Sequence, residues 1–150
     1  MLANIDKSTR TAIMATSHCL IGCGTGEVLG MVITSSPHRK TGPSIIASII
    51  LAFIFGYSLT IWSLVRSGVP LRRAMKIALA SDTVSISSME ITDNVVLLLV
   101  PTALYAPITA PMFWIGLAIS LGVAFIVTVP VNRWLIVRGQ GHALVHHAGH

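Results

Sequence analysis

Four residues of metal-ligand type lie close together near the start of the chain: His18, Cys19, Cys23 and Glu27. On a helix with about 100° per residue, the two cysteines and Glu27 form one stripe, and His18 lies about a quarter-turn to the side. Thiolates select soft ions such as Cu(I), imidazole suits zinc and copper, and carboxylates bind a wider range of cations. The segment therefore predicts a copper or zinc site. The alternative is that the cysteines are small buried hydrophobic residues.

A second polar segment spans residues 81–94. On a helix, Asp82, Met89 and Asp93 share one face, and Glu90 lies on its flank. We predict that these four side chains complete the metal site, although Met89 is also suited to core packing. Matching the two helices by depth places His18 level with Asp82, and Glu27 level with Glu90 and Asp93.

The elements that must position these residues are membrane-spanning helices. The chain has 150 residues, of which 53% are hydrophobic and only 10% charged, with a mean hydropathy of +0.80. A soluble domain carries about 25% charged residues, so this composition excludes an ordinary soluble enzyme. Apolar stretches of about 20 residues or more predict a four-helix all-α membrane bundle. The predicted spans are about 11–34, 43–65, 74–100 and 111–137, within a single domain over residues 1–150. A re-entrant or shifted third helix is the alternative.

The basic residues predict the orientation of the bundle. Those expected on one side are Lys7, Arg10, Arg66, Arg72, Arg73, Lys76, Arg133 and Arg138. Only Arg39 and Lys40 fall on the other side, so the positive-inside rule places both termini in the cytoplasm. The net charge of +5 therefore reflects topology in the cytoplasmic (inner) membrane, and no nucleic-acid partner is expected.

The acids carry the functional prediction. All carboxylates of the chain except Asp6 fall inside predicted spans: Glu27, Asp82, Glu90 and Asp93. Each costs about 2.5–3.5 kcal/mol near the centre of a lipid-exposed helix. Since no lysine or arginine shares the depth of the outer three, either these acids are protonated or a cation lies among them.

Small residues flank both polar stripes. Gly22, Gly26 and Gly30 form a ridge on helix 1, and Ser81 and Ser85 form an edge on helix 3. Such residues let helices approach closely in a membrane. We therefore expect helices 1 and 3 to be buried against each other, with helices 2 and 4 facing lipid.

The stretch over residues 139–150 is rich in histidine. It carries His142, His146, His147 and His150, and three of them have i, i+4, i+8 spacing. If this cytoplasmic tail is helical, that spacing suits a metal ion. A solvated tail or a pH-sensitive patch is the alternative.

Two motifs resemble an uncharacterised family of small bacterial membrane proteins. They are His18-Cys-x-x-Gly-Cys-x-x-Gly-Glu27 and Ser81-Asp-Thr-x-Ser-Ile-x-x-Met-Glu-x-x-Asp-Asn94. The Arg-Gly-x-Gly-His-Ala run that follows helix 4 is similar as well. The resemblance implies a multi-span helical domain with a loose association with copper.

The resulting prediction is a non-enzymatic membrane protein, homo-oligomeric in the lipid bilayer, that binds a copper or zinc ion and translocates it between helices 1 and 3. The first alternative is a proton channel or proton-coupled protein with protonated buried carboxyls. The second is a non-transporting assembly or redox subunit. A membrane enzyme would need a substrate pocket that the sequence does not reveal.

Overall fold

The computed structural model describes residues 2–34 and 41–138. Four long helices and one short one make up this part of the chain: α1 (Leu2–Ile33), α2 (Thr41–Arg66), α3 (Leu71–Leu99), α4 (Pro101–Leu104) and α5 (Pro111–Val137). The described residues contain no strand. The prediction of an all-helical protein is therefore confirmed for them, and the histidine-rich segment 139–150 lies outside them.

Glycine and proline set the boundaries between the later helices. After α2, Gly68 adopts a φ of 93°, and the Val69 N–H bonds to the carbonyl of Leu64 at 3.1 Å. This six-residue closure around a left-handed glycine is a common helix ending. Pro101 and Pro111 begin α4 and α5, where the missing proline N–H has no helical partner to lose. α3 is therefore one continuous helix that ends before the proline-rich connection.

The four long helices form a bundle in which α1, α2, α3 and α5 lie around the corners in that order. α1 packs on α2 and α5, α3 packs on the same two helices, and α1 and α3 also touch across the short diagonal. The most extensive interface joins α1 to α2, not α1 to α3. The expected pairing of the first and third helices is therefore realised only along the line where their polar side chains meet.

The glycine ridge explains the tight α1–α2 interface. A Cβ atom added at Gly22 would lie 2.9 Å from the Cα of Gly56, and one added at Gly26 would lie 2.7 Å from the Cα of Ala52. One added at Gly30 would meet the backbone of Ser48 at 2.7 Å. The ridge therefore holds α2 at backbone contact, although it was predicted to pack against the serine edge of α3.

The distribution of polar and apolar side chains is the reverse of that in a soluble protein. Glu27, Asp82, Glu90 and Asp93 are buried, whereas Ile54 and Ile126 are 52% and 72% exposed. Two helical stretches, Gly42–Arg66 and Pro111–Val137, are long and apolar enough to cross a membrane. α1 and α3 are longer still, at 32 and 29 residues, but they carry the buried acids, which α2 and α5 lack.

Candidate functional site

Three carboxyl groups meet in one layer of the bundle, which we call the acid layer (Glu27, Glu90 and Asp93, with Cys23 and Ser120). α1 supplies Glu27, which hydrogen-bonds through its carboxyl group with Asp93 of α3. The Ser120 hydroxyl of α5, which donates to the Leu117 carbonyl at 3.0 Å, also lies beside Asp93, and Glu90 acts electrostatically on both other acids. Exposed fractions of 7% for Glu27, 6% for Glu90 and 2% for Asp93 leave water almost no access.

The acid layer also includes a thiol and an unsatisfied oxygen. Cys23, which is 1% exposed, hydrogen-bonds with the carboxyl of Glu90, and Asn94 is a further partner of that carboxyl. The Oδ1 atom of Asp93 is buried without a hydrogen-bond partner. A buried carboxyl oxygen with no donor is costly, and a proton or a bound cation would satisfy it.

A second polar layer lies about two turns of α3 nearer the start of that helix. We call it the hydroxyl layer (Thr16, Thr60, Ser81, Asp82 and Asn132). Asp82 is 1% exposed, and its Oδ1 lies 3.0 Å from the Ser81 hydroxyl, whose single hydrogen is shared with the Ile77 carbonyl at 2.9 Å. The Thr60 hydroxyl of α2 is a second hydrogen-bond donor to this carboxyl. The Oδ2 atom of Asp82 is buried with no partner.

The other members of the hydroxyl layer come from α1 and α5. The amide of Asn132 donates to the Thr16 hydroxyl at 2.8 Å, and both residues are buried. One turn farther along the bundle, Cys19 and Ser85 hydrogen-bond at 3.0 Å. Because α1 and α3 run parallel and this contact aligns them, Thr16 is level with Asp82. Each of the four long helices therefore supplies at least one polar side chain to this layer, and α3 supplies two.

An apolar layer separates the two polar layers. It consists of Ala52, Ile86, Met89 and Ala124, each 0% exposed, which pack together with Cys19 and Cys23. The Ile86 side chain packs directly against Gly56, because a Cβ atom added at Gly56 would overlap it. Met89, predicted as a possible ligand, is thus a core side chain between the layers.

The buried carboxyls have no basic neighbour in the described part of the chain. The groups that act on them are other acids, thiols, hydroxyls and an amide. The basic residues described are all exposed: Lys7, Arg10, Arg66, Arg72, Arg73, Lys76, Arg133 and Arg138. Burial without a countercharge is expensive unless the groups are neutral or bind a cation.

Two of the basic residues mark one end of the bundle. The Arg66 guanidinium lies 5.2 Å from the centre of the Trp62 ring, and that of Arg138 lies 4.2 Å from the Trp134 ring. Since α2 and α5 run in the same direction, both pairs lie at the same end. Tryptophan and arginine together are typical of a membrane–water interface.

A groove of about 350 Å³ opens between α2 and α3 and reaches the acid layer. Ile45, Ile49 and Phe53 line its α2 side, and Glu90 and Asn94 lie on its α3 side. Its lining is almost wholly apolar. Of the buried acids, Glu90 is therefore the one that faces a route from the apolar surface of the bundle.

The structure brings together most, but not all, of the residues singled out in the sequence. Glu27 lies with Glu90 and Asp93, as the depth matching predicted. His18 is half-buried and is not among the groups that act on Asp82, although the two were expected to share a layer. No group of three or more His, Cys, Asp or Glu arranged to hold a metal ion occurs within residues 2–34 and 41–138.

The polar residues that α2 and α5 contribute were not predicted from the sequence. Four of these residues are at most 4% exposed: Thr60, Ser120, Thr128 and Asn132. α2 and α5, which correspond to the predicted second and fourth helices, were both expected to face lipid. The Oγ1 atom of Thr128 is buried with no hydrogen-bond partner. The available signal was an isolated polar residue in an apolar span, since a membrane helix generally turns such a residue toward the bundle.

Comparison with known proteins identifies a family but no activity. The model of a domain of unknown function, DUF4396, matches residues 8–141 and so covers most of the chain. Neither a curated protein nor a solved structure matches the chain. The prediction of an uncharacterised family is confirmed, while the two motifs and the association with copper stay predictions.

Proposed function

This chain belongs to the DUF4396 family of unknown function, and we propose a role for it from its own buried residues. It is a multi-pass membrane protein that binds a small cation in the acid layer and moves it across the membrane. The observation that carries this proposal is the hydrogen-bonded carboxyl pair of Glu27 and Asp93, buried beside a third carboxyl with no described basic neighbour.

The placement in the membrane rests on the surface of the bundle. Large apolar side chains cover it, and two helical stretches are suited to crossing a bilayer. In this proposal α1 and α3 cross as well, because at 1.5 Å per residue each exceeds the roughly 30 Å hydrocarbon core. The exposed basic residues then mark the cytoplasmic end of a four-span protein in the inner membrane, with both termini on that side. We further propose a homo-oligomer.

The proton is the cation that the acid layer favours. Two carboxylates in contact repel each other, and one shared proton converts that repulsion into a hydrogen bond. The Cys23 thiol and the Ser120 hydroxyl are further groups that donate and accept protons. The pair accepts a proton from one side of the membrane and releases it toward the other.

A copper or zinc ion is the second candidate, and the contact between Cys23 and Glu90 favours it. A thiol and a carboxyl in contact are ligand types that such ions use. In this version Cys23, with Cys19 and His18 on the same helix, supplies the soft ligands. Glu27, Glu90 and Asp93 attract the ion, Asp82 relays it, and the histidine-rich segment over residues 139–150 accepts it.

Proton movement is measured with the full chain in liposomes that contain a pH-sensitive dye. A membrane potential is imposed, and the initial rate of internal pH change is recorded. We expect Glu27→Gln and Asp93→Asn each to lower the rate by about 100-fold, the low end of what a proton-transferring side chain contributes.

Asp6→Asn is the matched control because it makes the same chemical change near the start of α1. It lies about 30 Å along the helix from Glu27 at 1.5 Å per residue. This variant keeps the rate of the unaltered protein. A rate unchanged in both Glu27→Gln and Asp93→Asn would contradict proton movement through the acid layer.

The metal candidate is tested on the same liposomes with copper or zinc uptake, together with elemental analysis of the purified protein. If a metal ion is the cargo, Cys23→Ser lowers uptake and metal content by at least about tenfold, on the scale of losing a ligand-shell group. Cys19→Ser is expected to lower both by less, because Cys19 contacts Ser85 rather than a carboxyl. Equal uptake by Cys23→Ser and the unaltered protein eliminates this candidate.

A further inference from the structure

The hydroxyl layer holds one carboxyl group among oxygen-bearing neighbours, with no acid or thiol hydrogen-bonded to it. We propose that this layer is a second cation site, which binds a small monovalent cation of the sodium type. The proposal goes beyond the proton movement assigned to the acid layer and does not depend on it.

The donor set around Asp82 suits a hard cation. Its hydrogen-bonding neighbours are the hydroxyls of Thr60 and Ser81, and hydroxyl and carboxyl oxygens are ligands that hard cations accept. The nearest thiol, that of Cys19, is engaged with Ser85 at 3.0 Å. Soft ions such as Cu(I) bind weakly to oxygen ligands of this kind.

The Oδ2 atom of Asp82 has no partner, although the residue is only 1% exposed. Buried polar atoms are nearly always paired, so this oxygen indicates that something positive or hydrogen-bonding belongs beside it.

Charge and size then select the cation. One carboxylate balances one positive charge, whereas a divalent ion would leave a net charge buried in apolar surroundings. The residues of the layer are at most 4% exposed and come from four helices, which favours a small ion stripped of its water. Sodium meets both conditions.

The two sites are independent because the apolar layer separates them. Asp82 and Asp93 lie eleven residues apart on α3, which is about 16 Å at 1.5 Å per residue. Ile86 and Met89, fully buried, occupy most of the interval, and its one described polar contact, Cys19 with Ser85, is closed on itself at 3.0 Å. A change in the acid layer therefore leaves the oxygen ligands of Asp82 in place.

The test is thermal unfolding of the purified full chain in detergent with sodium, potassium or choline chloride at equal ionic strength. A ligand that binds only the folded state raises the unfolding temperature. At sodium concentrations about a hundredfold above Kd, we expect a rise of about 5 °C relative to choline. Asp82→Asn abolishes the rise, whereas Glu27→Gln retains it even though proton movement is lost.

A second pair of variants covers the case in which Asp82→Asn fails to fold. Thr60→Val keeps the shape of the side chain and removes its oxygen, so it loses the rise, and Thr60→Ser retains it. Three results would overturn the proposal: no rise with sodium relative to choline, an equal rise with potassium, or a rise that survives both Asp82→Asn and Thr60→Val. None of them bears on the acid layer, which is judged by proton movement in Glu27→Gln.

Discussion

The acid layer and the hydroxyl layer are built alike but hold different amounts of charge. Both draw on several helices, both are closed to water, and both contain a carboxyl oxygen without a partner. The acid layer concentrates three carboxyls, two of which hydrogen-bond to each other, whereas the hydroxyl layer surrounds Asp82 with hydroxyls. Neighbouring acids favour a shared proton, and neighbouring hydroxyls favour a bare cation, so the surroundings of each carboxyl decide its chemistry.

The apolar layer separates the acid layer from the hydroxyl layer. Without it, the two layers would form one continuous polar row. Ile86 and Met89 occupy the same helix as Asp82, Glu90 and Asp93 and are as deeply buried. A cation that passes from one layer to the other must cross this apolar interval, where water and charge are disfavoured. The interval therefore divides the interior into two sites.

Ile86→Ala tests that division most severely. Removing a fully buried isoleucine leaves a cavity and lowers the free energy of unfolding by about 2–5 kcal/mol. It also opens space between the layers, so we expect proton movement in liposomes to rise. Leu79→Ala on the same helix, at 56% exposure, is the control for loss of volume. Unchanged stability and unchanged proton movement in Ile86→Ala would mean that the apolar layer does not separate the sites.

Gly26→Ala sharpens the comparison by disturbing the acid layer alone. The new Cβ atom would lie 2.7 Å from the Cα of Ala52, so α1 must move away from α2 next to Glu27. We expect a loss of about 1–3 kcal/mol in stability and slower proton movement, with the sodium-dependent rise retained.

Gly122→Ala is the matched control for this substitution, because nothing lies within 4 Å of a Cβ atom added there. In a helix interior, alanine in place of glycine is neutral or stabilising by about 0.5–1 kcal/mol. Thermal unfolding of the two variants side by side makes the measurement. Equal unfolding temperatures would show that the α1–α2 approach is less tight than the backbone distances indicate.

Cys19→Ala has the smallest expected effect and probes the edge of the hydroxyl layer. It removes the 3.0 Å hydrogen bond to Ser85 and leaves that buried hydroxyl with one partner fewer, at a cost of about 1 kcal/mol. The double variant with Ser85→Ala should recover part of the loss. A double-mutant cycle on unfolding free energies measures this coupling, and strictly additive losses would contradict the hydrogen bond.

Much of the fold follows from composition and from the spacing of residues. The long apolar runs and the proline and glycine positions predict helices, and the described residues are helical with no strand. The shared level of Glu27, Glu90 and Asp93 follows from the equal spacing of polar residues on two parallel helices. The histidine-rich segment over residues 139–150 lies outside the described residues, so its predicted metal binding stays a prediction.

The partners of the acids could not be predicted in the same way. Thr60 and Ser120 are isolated hydroxyls in apolar helices, and a single polar residue does not reveal which neighbour it faces. The ridge of Gly22, Gly26 and Gly30 predicts a close approach but not the partner, which is α2. Pairing between helices depends on how all four fit together, and no local pattern encodes it.

The sequence by itself determined that four carboxylates lie in apolar helices and that the basic residues are kept apart from them, because residue type and hydropathy are local properties. Only the tertiary structure decided which groups from the other helices contact each carboxyl, such as Ser120 of α5 beside Asp93 and Thr60 of α2 beside Asp82. The physical reason is that a carboxyl's charge state and ligands depend on atoms within a few ångströms, and most of those atoms belong to other helices.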